Sequence, residues 1–127
     1  RINDTHGHAV GDKVLIEVAQ QIQRAARKDD SVCRLGGEEF LMVCQNTDLK
    51  AALLAADRLR RTIEALQIEV GGTVIRSSVS IGVASREPGM ADTDALVNAA
   101  DRALYGAKES GRNRSCITIQ GKLRCLP

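Results

Sequence analysis

Residues 32–44 read VCRLGGEEFLMVC, two short apolar runs on either side of Gly36, Gly37, Glu38 and Glu39. Each run has the length of a strand, and glycines supply the positive φ angles that tight turns demand, so 32–44 is predicted as a β-hairpin. A plain turn would simply leave both glutamates in solvent. Taken together, the four residues suit a second purpose. A glycine backbone lets N–H groups approach a phosphate with no Cβ in the way. Adjacent carboxylates hold Mg2+, a hard cation that shares its oxygen ligands with substrate phosphates. Four letters alone do not distinguish a solvated turn from a nucleotide–metal site.

The segments around the hairpin define its setting. GDKVLIEVAQQIQRAARKDD (11–30) places Val14, Leu15, Val18, Ile22 and Ala25 on one helical stripe, with charges opposite. TDLKAALLAADRLRRTIEAL (47–66) is a second predicted helix, with Thr47 or Asn46 as cap and Leu49, Leu53, Ala56, Leu59, Ile63 and Leu66 on its buried face. QIEV, a Gly71-Gly72 turn and TVIRSSVSIGVAS form a second hairpin. DTDALVNAADRALYGAKESG (92–111) is a third helix, capped by Asp92 or Thr93, with Gly111 as the residue past its end. SCITIQ is a last strand, and Pro88-Gly89 marks an irregular loop. The order α-ββ-α-ββ-α-β implies an α+β sandwich, one central, mostly antiparallel β-sheet flanked by helices.

Composition narrows the function. The 127 residues, 43% apolar and 27% charged, fit one folded domain. A net charge of +2 is too small for nucleic acid to be the main partner, and Phe40 and Tyr105 are the only aromatic residues, too few for a base-stacking surface. Cys33, Cys44, Cys116 and Cys125 show no CxxC pair and no histidine at zinc spacing. They read as reduced thiols of a cytoplasmic protein, with a disulfide as the alternative and Cys33 and Cys44 as small core residues. No apolar stretch reaches the ~20 residues of a membrane span, and no signal peptide is visible. The chain opens on Arg1 rather than methionine, and reads as cut from something longer.

Four ordered motifs then converge. RLGGEEF (34–40) resembles the GGDEF signature of bacterial diguanylate cyclases in its GGEEF form. RINDTHGHAVGD (1–12) is similar to the family's IND-x-x-GH-x-x-GD segment, and SVSIGVA (78–84) and DRALYGAKESGRNR (101–114) resemble its two later motifs. The resemblance spans residues 1–115, with 116–127 as a last strand and a C-terminal tail. It implies a nucleotide-cyclase or polymerase-palm-like fold with a ferredoxin-like core. It also implies an activity, the condensation of two GTP into cyclic dimeric GMP with release of two pyrophosphates. Each 3′-hydroxyl attacks the partner's α-phosphate, so a homodimer is needed, and two Mg2+ (or Mn2+) ions per site are implied.

The same resemblance assigns roles. Glu38 is the implied metal ligand, with Glu39 supporting the metal or the attacking hydroxyl, and Gly36 and Gly37 admit the phosphates. Asn3 and Asp12 read guanine, a task that suits a carboxylate facing the base's N1–H and exocyclic amine; Asp12 is also a candidate helix N-cap. Lys108 and Arg112, four apart near the end of the third helix, neutralise phosphates, though a solvated basic helix end explains them too. Arg27 and Asp30 match the RxxD of the family's product-inhibition site, where arginine offers bidentate phosphate contacts and stacking. His6 and His8, two apart, share no helix face, and His8 is read as structural within its turn.

The family's domain begins with a strand carrying a metal-binding aspartate just before the stretch that opens this chain. Without that strand the sequence is expected to give a weak or inactive enzyme. A catalytically silent GTP- or cyclic dimeric GMP-binding regulatory module is the alternative, and a dimerisation module within a larger signalling protein a third. A sensory domain upstream is a further expectation; a cytoplasmic protein and the cytoplasmic portion of a membrane-anchored sensor both fit the sequence.

Overall fold

The structure, a computed structural model, describes residues 8–126. Among these the element order is α1 (His8–Ala25), β1 (Ser31–Gly36), β2 (Glu39–Val43), α2 (Leu49–Glu64), β3 (Ile68–Val70), β4 (Thr73–Ile75), β5 (Ile81–Val83), α3 (Thr93–Glu109), β6 (Ser115–Ile119) and β7 (Lys122–Cys125). The α+β class is as expected. The strands, however, form three separate hydrogen-bonded sheets, β1-β2, β3-β4 and β5-β6-β7, rather than one. The long second strand of the QIEV hairpin breaks into β4 and β5, with no strand pairing over 76–80. Three of the four pairings are antiparallel, and β5-β6 is parallel. None of the described helices is long and apolar enough to cross a membrane.

The chain divides into two compact units, one comprising the described residues up to 45 with 62–77, the other 46–61 with 78 onward. In the first, Val14, Val18 and Ile22 are buried along one stripe of α1, and Ile63, Ile68 and Ile75 are buried as well. Each such side chain removed from water stabilises the fold by about 1.5–3 kcal/mol. Leu15 is only half-buried, and Ala25, at the helix end, is exposed. The β1-β2 hairpin is largely solvated on both faces, so Cys33 and Cys44 are exposed thiols, not core residues.

Helix ends follow local hydrogen bonding. The helix α1 begins at His8, before the expected Gly11, and stops at Ala25 instead of running to 30. It stops because the Arg27 backbone N–H donates to Asp30 Oδ2 at 2.8 Å, withdrawing that group from the helical ladder. Asp12 therefore lies inside α1 rather than capping it, and His8 is a helical residue. Asp48, not Thr47 or Asn46, caps α2, its Oδ1 accepting from Ala51 N at 2.8 Å. Asp92 caps α3 as expected, accepting from Ala95 N at 3.0 Å. Gly111 follows the C-terminal residue Ser110 with φ +131°, the reach of glycine past a helix end.

In the second unit α3 packs on β5, β6 and β7 through a stripe of small residues, Ala99, Ala103 and Ala107. Side chains this short let the helix lie directly on the sheet, and Gly82 of β5 marks the closest approach. A Cβ there would strike the backbone of Ala100 and Leu104. The C-terminal tail is ordered as β7, paired with β6 in the register Cys116↔Cys125 to Ile119↔Lys122. Cys116 and Cys125 form a disulfide across that pair, so they are not the reduced thiols expected from their spacing. Their adjacency depends on a hairpin register that spacing alone does not reveal.

Candidate functional site

The hairpin tip is built as a two-residue turn at Gly37-Glu38, flanked by the pair Gly36↔Glu39. The register shifts between Arg34 and Gly36, leaving Leu35 as a bulge that is 58% exposed. Gly36 has φ +146° and Gly37 φ +52°, conformations that a side chain strongly disfavours. A Cβ on either would meet nothing within 4 Å, so backbone conformation, not crowding by protein atoms, calls for glycine here. Arg34 closes the turn, its Nε and Nη2 donating to Gly37 O at 2.9 and 2.6 Å.

Glu38 and Glu39 are exposed at this tip, adjacent residues with carboxylate side chains. Their oxygens are the donor type that Mg2+ and Mn2+ take. Among the described residues there is no cluster of three or more candidate ligands, and Glu38 and Glu39 are two neighbouring oxygen donors.

Arg27 and Asp30 come together immediately before β1. Arg27 Nε lies 3.4 Å from Asp30 Oδ2, and Arg27 Nη2 donates to Gln45 O at 3.2 Å, tying this turn to the chain just past β2. The pair thus sits at the base of the hairpin whose tip carries the glutamates. The six residues of β1 separate them, ~20 Å at the usual rise. The Arg27 side chain is 60% exposed and that of Asp30 3%. Asp30 Oδ1 is buried without a partner among the described residues, an acceptor that costs free energy unless something donates to it. The Arg27 backbone N–H, donating to the same carboxylate, holds Asp30 below the usual carboxyl range.

Lys108 lies half-buried in the last turn of α3. Arg112 is not on the helix, as the four-residue spacing suggests, but beyond its end, exposed and left-handed at φ +63°. Its backbone N–H donates to Ala107 O at 2.9 Å, which folds it back onto the turn that carries Lys108. These two bases belong to the second unit, and Asp12, the GGEE turn and the Arg27–Asp30 pair to the first. Asp12 is exposed on α1. Asn3 and His6 lie outside the described residues.

One group escaped sequence reasoning. Asp57 and Arg60 of α2 are 3% and 9% exposed, a buried ion pair that also engages Ser115 and Asn113. Their spacing gave a signal, but the same spacing is ordinary on solvated helix faces.

An α+β domain with this palm-like arrangement of short sheets and helices, and a carboxylate-bearing glycine turn, belongs to the nucleotide-cyclase class of folds. A family model described as "Diguanylate cyclase, GGDEF domain" matches residues 1–114. The chain is a member of that family. It is 44% identical over 117 residues to diguanylate cyclase A of Treponema denticola, covering 92% of this chain and 32% of that protein. Among solved structures, the active GGEEF domain of a diguanylate cyclase from Vibrio cholerae aligns with a TM-score of 0.83 at 35% identity, over 94% of this chain and 75% of that one. The coiled coil and GGDEF domain of DgcB from Caulobacter crescentus, in complex with c-di-GMP, aligns with a TM-score of 0.83 at 30% identity, over 92% and 62%. The chain spans a third or less of the length of the curated relatives it matches.

Proposed function

We propose that this domain is a diguanylate cyclase that joins two GTP molecules into cyclic dimeric GMP and is restrained by its own product. The observation that carries the reading is the GGEE turn, two glycines in backbone conformations of their own kind presenting two adjacent exposed carboxylates at a hairpin tip. In the reaction the 3′-oxygen of one GTP bonds to the α-phosphorus of the other, the bond to the β-phosphate breaks, and pyrophosphate leaves. Two such steps close the ring, so two domains face each other as a homodimer. Two Mg2+ (or Mn2+) ions per site would supply charge neutralisation at the α-phosphate.

The chain's own residues then take the following parts. Glu38 holds metal, and Glu39 supports it or accepts from the attacking hydroxyl. Gly36 and Gly37 present a side-chain-free backbone to the phosphates. Asp12, with Asn3, accepts from the guanine N1–H and amine, and adenine, lacking that donor pair, leaves the carboxylate unsatisfied. Lys108 and Arg112 neutralise the triphosphate. Incubation of the domain within its full-length parent protein with GTP and Mg2+, followed by nucleotide chromatography, tests the reading. Cyclic dimeric GMP is expected, and Glu38→Ala is expected to reduce it by more than about a hundredfold, beyond what loss of a metal's outer partners costs. GTP binding with no product overturns the cyclase reading.

Product restraint is placed at Arg27 and Asp30. An exposed guanidinium beside a buried, unfilled carboxylate oxygen suits a ligand with phosphates for the first and guanine donors for the second. Calorimetry with cyclic dimeric GMP is expected to show Arg27→Ala weakening binding about tenfold or more, the scale of a charge-assisted hydrogen bond. Unchanged product affinity in that variant rules the site out.

A further inference from the structure

Within the second unit, a buried ion pair grips the segment that carries Arg112. Arg60 Nε donates to Asp57 Oδ1 at 2.7 Å and Nη2 to Oδ2 at 3.4 Å, a two-pronged contact that fixes the plane of the guanidinium. Its Nη1 donates to Asn113 Oδ1 at 3.1 Å. The Asp57 carboxylate also accepts from Ser115 Oγ at 3.1 Å and pairs with Arg61 at 3.0 Å. Asn113 N donates to Ser80 Oγ at 3.2 Å. The stretch from 113 to 115 is therefore held at both ends by one charge pair on α2.

That grip coincides with unusual backbone. Arg112 and Asn113 are consecutive non-glycine residues in the left-handed region, at φ +63° and +46°. Such conformations persist only where surrounding contacts over-determine them. Contacts that hold these two residues include those of Asn113 with Arg60 and Ser80, and those of Arg112 with the Ala107 carbonyl and, at 3.0 Å, with Arg114 Nε. Relaxing Asn113 would swing the preceding residue, and with it the guanidinium of Arg112.

We propose that Arg60, oriented by Asp57, is a positioning residue that acts through Asn113 to hold Arg112 where it meets the triphosphate. The inference rests on Arg112 being a phosphate-binding base. A purely structural pair would affect stability alone, whereas a positioning pair affects the phosphate-dependent part of nucleotide binding.

Binding of GTP and of guanosine, in Mg2+ and followed by NMR titration of the chain, separates the two roles. Asn113→Gly removes the carboxamide, tolerates φ +46°, and leaves Arg60 paired with Asp57. It is expected to lower GTP affinity about tenfold, the scale of a hydrogen bond to a charged group, with guanosine affinity unchanged. Arg60→Lys, which keeps the charge but cannot serve both partners, is expected to do the same. Arg112→Ala should lose as much or more, and adding Asn113→Gly to it should cost nothing further. A normal GTP-to-guanosine ratio in Asn113→Gly or Arg60→Lys, equal losses of both ligands, or additive losses in the double variant would overturn the inference while leaving Arg112's role intact. An unchanged ratio in Arg112→Ala, or no GTP binding by the unaltered chain, removes the phosphate-binding reading and the inference with it.

Discussion

Replacing Gly82 by alanine is expected to unfold the second unit or leave it molten, although the change adds a single methyl group. The atoms in the way are the backbone of Ala100 and Leu104 in α3, not the tips of flexible side chains. Helix backbone cannot step aside without dragging the helix off Ala99, Ala103 and Ala107, which are buried against the sheet. Overpacking of well-packed cores costs about 1–3 kcal/mol, and a backbone-to-backbone clash belongs at or above the top of that range. Against a total stability of about 5–15 kcal/mol, such a loss is decisive. Gly106 makes the useful comparison. An added Cβ there would press on the Leu123 side chain, which can rotate, so Gly106→Ala should cost less. Thermal unfolding monitored by circular dichroism compares the two directly. Equal stability of Gly82→Ala and the unaltered chain would contradict the close helix–sheet contact.

The second large effect is expected at Asp57. Asp57→Ala takes from the buried Arg60 guanidinium its two-pronged carboxylate partner, and breaking such a pair from one side costs about 3–5 kcal/mol. The same pair makes stability depend on acid. The hydrogen bond from Arg60 holds the Asp57 carboxyl below its ordinary value, outweighing the opposing effect of burial, with Ser115 and Arg61 assisting. A carboxyl that ionises more readily when folded stabilises the fold fully above the unfolded value, about 3.9. That contribution is lost as pH falls from there through the lower folded value, because the unfolded chain binds the proton first. Denaturant titrations should therefore show stability declining below about pH 4, and Asp57→Asn should be less stable at neutral pH with a flatter acid limb. An acid limb unchanged by Asp57→Asn would assign the acid sensitivity to other carboxyls.

Much of this was legible in one dimension, because local rules acted alone. The periodicity of 49–64 and 93–109, the Asp92 cap, Gly111 beyond α3 and the hairpin around GGEE depend on residues within a turn or two of one another. Misreadings arose where neighbours competed or where partners are distant in sequence. Asn46, Thr47 and Asp48 are all good caps, and only the geometry selects Asp48. The charged run at 27–30 looks like a helix end, but Asp30 captures the Arg27 N–H and makes a turn. Arg112 looks helical by spacing, yet Gly111 ends the helix ahead of it. Asp57 went unread because its partner Ser115 lies 58 residues away. The candidate site divides the same way. The glutamates and the Arg27–Asp30 pair were visible as strings, and the support beneath Arg112 was not.

The ordered tail changes what the third sheet can do next. With β7 fastened to β6 by hydrogen bonds and by the Cys116–Cys125 link, β6 is an interior strand and offers no free ladder to another chain. Among the described residues the margin on that side is instead a four-residue strand, KLRC, in which Lys122 and Arg124 are exposed. Short length and repeated positive charge are the features that discourage edge-to-edge growth of sheets. On that flank, a second copy of the chain would meet like charge before it met an open backbone, so the last residues act as a selvedge that keeps the fabric of the sheet from being extended.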